Sequence, residues 1–209
     1  MKRLALIPLS IGAAGVVAFV VLALEPEAGE AAFASIFCFL MLGAAAGPFL
    51  YRDDPRHAAL RCGVLGVLAA TVTAAFSTDA LVAALLAGGF CGLYAFALGA
   101  LGSLGGDLGR LAAATLGLVL LATLHVWDDV ALFDATDRKG SARLAFALNP
   151  AAAASVTLDY DWIHATKLYR DNETAESLAG VPRAGLGAYA LEAAAVALVA
   201  VGLGWWRRR

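Results

Sequence analysis

Three groups of residues have types and spacings that suggest chemistry. The first is His125 with Asp128 and Asp129. At helical spacing these share one face, where a carboxylate orients an imidazole ring or completes a metal site. The second is Asp159, Asp161 and His164, with Asp161 and His164 three apart and so neighbours on a helix. If the two groups met, His125, Asp128, Asp129, Asp161 and His164 would offer two imidazoles and several carboxylates to zinc or another divalent ion. The bland reading of both groups is a helix end and a solvated helix face. The third is Glu192, in the apolar run Ala188-Tyr-Ala-Leu-Glu-Ala-Ala-Ala195, with Tyr189 one turn before it. A carboxylate inside such a run costs a few kcal/mol on insertion scales, so it should face the bundle or a wet cavity. Glu192 and Tyr189 are therefore candidates for substrate or proton contact. A structural hydrogen bond to another span, or a carboxylate reaching the interface, is the competing reading.

The elements that must position these groups are membrane helices. The 209 residues are 61% hydrophobic, against about 45–50% in soluble domains, and mean hydropathy is +0.78. Uncharged runs recur, and about 20 apolar residues at 1.5 Å each cross about 30 Å of hydrocarbon. The expected fold is an all-α, polytopic integral membrane helical bundle of about six transmembrane helices. Spans one to five lie within residues 1–126, at about Leu4–Leu24, Ala31–Leu50, Ala58–Phe76, Ala80–Leu101 and Leu111–Val126. A partly helical extracytoplasmic insertion follows at 127–183. Span six and a basic tail fill 184–209, and Trp205-Trp206-Arg207-Arg208-Arg209 marks a membrane exit.

Small residues prepare close helix contacts. Gly43 and Gly47 share a face of span two, and Gly88, Gly92 and Gly99 form a stripe on span four. The segment Gly102–Gly109 is glycine-rich but lacks the Lys-Ser/Thr of a phosphate loop. It reads as a turn with Asp107 capping the next helix. Cys38, Cys62 and Cys91 each stand inside an apolar run with no paired spacing, and read as small buried hydrophobes.

Orientation follows from the basic residues. Lys2, Arg3, Arg52, Arg56, Arg61, Arg110 and Arg207–Arg209 fall on one side of a six-span topology, while the short loops on the other carry Glu25, Glu27, Glu30 and Asp79. The positive-inside rule places both termini in the cytoplasm. The Ala, Gly, Leu and Arg bias fits a bacterial chain and hence the inner membrane.

Within the insertion, Asn149-Pro150 pairs a good N-cap with a good first helical residue. The helix it starts is expected to run to about Tyr169, lining Leu158, Trp162, Ala165 and Tyr169 on one face. Ala151–Ser155 is bland enough to dip into the membrane wherever protein covers its backbone. Here the layout resembles the ABC-2-type transporter permease family. Six spans, cytoplasmic termini and Leu148-Asn149-Pro150 before the last span, followed by Lys167-Leu-Tyr-Arg170, look like that arrangement. The resemblance implies a permease-like subunit served by a separate ATPase. The chain departs from the family in opening with only Met1-Lys2-Arg3 before span one, and in its short Tyr51–His57 loop.

Three functions stay open: a transport subunit, a non-catalytic membrane scaffold or assembly factor, and a membrane enzyme using the His/Asp groups. No hydrolase or transferase signature stands in the chain, and no cofactor is expected. The expected partners are membrane lipid, a separate ATPase or other membrane subunit, and further copies of the chain. No basic block points to nucleic acid.

Overall fold

The computed structural model describes residues 28–51, 54–76, 81–126, 149–160 and 185–207. These form six helices: α1 Ala28–Leu50, α2 Pro55–Phe76, α3 Leu81–Ser103, α4 Gly106–Val126, α5 Pro150–Thr157 and α6 Leu186–Trp206. No strand occurs among the described residues. Four helices are long and apolar enough to cross a membrane, within Ala31–Leu50, Pro55–Phe76, Leu81–Ser103 and Leu186–Trp206. The expected first span, Leu4–Leu24, lies outside the described residues. The expected fifth falls in α4, which has similar length but opens on Gly-Asp-Leu-Gly-Arg.

Local chemistry sets the helix starts. α2 begins three residues before the expected Ala58 because Asp54 caps it and Pro55 takes its first position. The Asp54 carboxylate accepts from the Arg56 backbone N–H (2.9 Å) and pairs with the His57 ring Nδ1 (2.6 Å). α4 begins five residues before the expected Leu111. The turn before it is only Leu104-Gly105, with Gly106 at φ +62°. Asp107 therefore does not cap from outside. It sits in the first turn of α4 and pairs with Arg110 at 3.2 Å, where a negative charge suits the helix dipole.

α3 is the central helix and touches all five others. From Ala84 to Gly102 it is buried on most of its surface, leaving open the face that carries Leu85 and Gly89. Its small residues let neighbouring backbones come very close. A Cβ placed on Gly88 would stand 2.5 Å from the Ala70 nitrogen of α2, and one on Gly92 2.7 Å from the Cys62 carbonyl. A Cβ on Gly47 of α1 would stand 2.5 Å from the Ala95 carbonyl. The expected glycine stripes are thus helix contacts. Across α1 and α2, the Ser35 and Thr73 hydroxyls join at 2.7 Å.

The bundle has two distinct ends. Gly99 meets Gly47 and Tyr51, Arg61 Nη1 donates to the Leu50 carbonyl, and Arg207 Nη1 donates to the Leu104 carbonyl. These contacts gather the end of α1, the start of α2, the α3–α4 turn and the end of α6. All four described arginines, Arg56, Arg61, Arg110 and Arg207, lie at this end. The opposite end holds Asp159 and the start of α6.

At that opposite end α5 is set into the bundle. Ala151, Ala152, Ala153 and Ala154 are at most 1% exposed and pack with Phe33, Ile36, Leu121 and Tyr189. Alanine is small enough to let an eight-residue helix lodge between α1, α3, α4 and α6. Asn149 ties it in from both ends of its amide. Oδ1 accepts from the Ala151 N–H (2.8 Å), and Nδ2 donates to the Leu121 carbonyl (3.2 Å).

The helix stops at Thr157 and not near Tyr169. Asp159 takes the left-handed conformation (φ 50°), while the Tyr160 N–H reaches the Ser155 carbonyl and the Asp159 N–H reaches that of Val156. That is a Schellman ending with aspartate where glycine is usual, so sequence offers no glycine to announce it. The Tyr160 ring then packs on Phe33, with centroids 5.4 Å apart.

Candidate functional site

The metal reading rests mostly on positions outside the described residues. His125 belongs to the last turn of α4, and its side chain lies outside them, as do Asp128, Asp129, Asp161 and His164. Asp159 is exposed, on the turn that ends α5. α5 itself ends at Thr157, ahead of both Asp161 and His164 in the chain. Among the described residues, no group of three His, Cys, Asp or Glu side chains is placed to hold a metal ion.

Tyr189 and Glu192 are described and stand one turn apart on α6, Tyr189 buried and Glu192 exposed. Tyr189 points inward. It is buried in the core beside α5 and meets the Phe90 ring edge-on, with centroids 6.5 Å apart. Glu192, three residues on, is exposed on the outside of the bundle. Of the two placements expected for Glu192, the bundle and a wet cavity, the described helices do not supply the first. The reason lies in how α6 packs. Its inward seam is Ala193, Ala197 and Ala200, at 9%, 4% and 2% exposure, the first two against Ala97 and Phe96 of α3 and the last beside Ala100 and Tyr51. Position 192 stands just outside that seam.

The outward face of α6 is otherwise apolar. Leu191 and Leu198 are each 74% exposed, followed by Val199 and Trp206. Glu192 lies six residues into the helix, about 9 Å along its axis. Exposed leucine and valine are ordinary toward lipid. A carboxylate among them is not: a charged side chain costs about 2.5–3.5 kcal/mol at the centre of a membrane helix on insertion scales, and Glu192 stands about 6 Å short of that centre.

Sequence reasoning passed over two features. One is the double role of Asn149, whose Nδ2 bond to Leu121 spans 28 positions and leaves no local pattern. The other is an open groove between α2 and α3, bordered by Gly63 and Gly89. Its signal was present as glycines, but sequence does not say which glycines meet a neighbour.

An apolar, all-helical bundle of this kind defines a multi-pass integral membrane protein. Compared with family models, curated proteins and solved structures, the chain matches none.

Proposed function

We propose that this chain is a permease-like subunit of a membrane transport assembly, and that it meets a partner chain through the outward face of α6. The observation that carries this reading is Glu192, a carboxylate exposed on an apolar helix face. A partner that donates a hydrogen bond or a positive charge to Glu192 removes the cost of leaving it in lipid. The face is broad enough for helix packing, running from Leu191 to Trp206 with its large side chains turned outward. The resemblance to ABC-2-type permeases supplies the class of assembly, with energy coming from a separate ATPase. The four described arginines at one end support the orientation with both termini in the cytoplasm and α5 toward the outer surface.

Purification in mild detergent from native membranes tests the proposal. The intact chain is expected in a complex larger than one copy. Glu192→Leu is expected to dissociate it, and Glu192→Gln to retain it in part, since the amide still hydrogen-bonds. A partner carrying a nucleotide-binding motif supports transport. A stable complex without one favours the scaffold reading. A single-copy native protein, with Glu192→Leu indistinguishable from it, refutes the assembly role.

A further inference from the structure

We infer that the groove between α2 and α3 is a binding site for an anionic phospholipid, with one acyl chain along the groove and the phosphate on Arg56. The inference rests on α2 and α3 crossing the bilayer, not on the transport reading.

The groove encloses about 370 Å³. Ala59, Gly63 and Thr71 mark its course on α2, and Leu85, Gly89 and Phe96 on α3. Its floor is where the helices touch, with Gly66 against the Gly88 carbonyl and Gly92 against Cys62. Its openness comes from two other glycines. A Cβ on Gly63 or Gly89 would meet nothing within 4 Å. Neither glycine is needed for the helices to approach, and both are unfavourable in a helix interior relative to alanine. What they provide is space on the membrane-facing side.

Length selects the occupant. From Ala59 to Thr71 the groove runs about 18 Å at 1.5 Å per residue. A second copy's spanning helix would follow a contact through the whole hydrocarbon core of about 30 Å. The groove instead matches the depth of one leaflet, which is the reach of an acyl chain. It begins near the arginine end, so the leaflet is the one meeting that end.

Charge selects the headgroup. Arg56 precedes Ala59 by three residues and Gly63 by seven, so helical spacing puts it at the mouth of the groove. Its neighbours are already engaged. The Asp54 carboxylate holds the Arg56 backbone N–H and the His57 ring, and Arg61 Nη1 holds the Leu50 carbonyl. The Arg56 guanidinium is exposed and forms no ion pair within bonding distance of a described side chain, its charge acting on the Asp54 carboxylate from further off, and it is suited to a phosphate.

The test is native mass spectrometry of the delipidated full chain, titrated with phosphatidylglycerol and with phosphatidylcholine of the same acyl chains. Phosphatidylglycerol is expected to bind more tightly. Arg56→Gln is expected to weaken it roughly fivefold, the value of one arginine at an anionic headgroup, leaving phosphatidylcholine unchanged. Gly89→Leu fills the groove without touching the fold and is expected to weaken both lipids at least tenfold. Gly63→Leu does the same from the other wall, should Gly89→Leu fail to fold. Equal binding of the two lipids, or native affinity in a folded leucine variant, overturns the inference. So does a leucine variant that loses a protein partner while keeping its lipid.

Discussion

Removing the Asn149 side chain tests how α5 is held in the bundle. Asn149 is fully buried, caps α5 through Oδ1, and reaches α4 through Nδ2 at the Leu121 carbonyl. Asn149→Ala loses the cap, about 1 kcal/mol, and a buried hydrogen bond of similar value. It also leaves a small cavity, because the alanines around it cannot collapse inward. The expected destabilisation is about 3 kcal/mol. The substitution series carries the logic. Asn149→Ser keeps a capping oxygen but falls short of Leu121, so it costs about half as much. Asn149→Asp keeps the cap but sets a carboxylate against a carbonyl oxygen in a buried site, so it costs at least as much as alanine. The measurement is equilibrium unfolding in mixed detergent micelles, followed by circular dichroism. An alanine variant within about 0.5 kcal/mol of the parent, or an aspartate variant more stable than serine, would refute this account of α5. The consequence reaches Glu192, because α5 packs against α6 beside Tyr189.

Three further outcomes follow from single residues. Gly88→Ala drives a methyl into the α2 backbone at 2.5 Å and should cost about 1–3 kcal/mol; Gly89→Ala, with nothing within 4 Å, should be neutral or gain up to about 1 kcal/mol of helix propensity, and thermal unfolding of the pair compares them. Asp159→Gly relieves a left-handed aspartate and should stabilise the chain by about 1 kcal/mol, read as a raised unfolding midpoint. Asp54 is held below the ordinary carboxylate value of 3.8, first by the Arg56 N–H, then by hydrogen bonding and charge from His57, and last by the charge of Arg56. Its folded value is therefore depressed, so its stabilising effect is full above pH 3.8 and fades as pH falls through the lowered value. Asp54→Ala should remove that part of the acid dependence in a pH series of unfolding midpoints.

Helix positions and several helix ends were legible because their causes are local. A run of about 20 apolar residues must cross or be buried whatever surrounds it. Asn149-Pro150 starts a helix with its own side chain and ring, and Gly88, Gly92 and Gly99 show their spacing directly, whereas the equally local Asp54-Pro55 start lies three residues before the expected Ala58. The stop at Thr157 was not legible, because Asp159 does what a glycine usually signals.

What sequence alone determined, then, was the material of the fold: apolar helices among the described residues, four of them long enough to cross a membrane, with the described arginines at one end. Only tertiary structure decided which way each helix faces. In a soluble protein the polar side of a helix marks the outside, but in a membrane both sides are apolar and periodicity carries no such mark. The alanine seam Ala193–Ala197–Ala200 had to be seen packed on α3 before Tyr189 could be placed inside and Glu192 outside. The same holds for Gly63 and Gly89, which differ from Gly66 and Gly88 only in whether another backbone happens to be there.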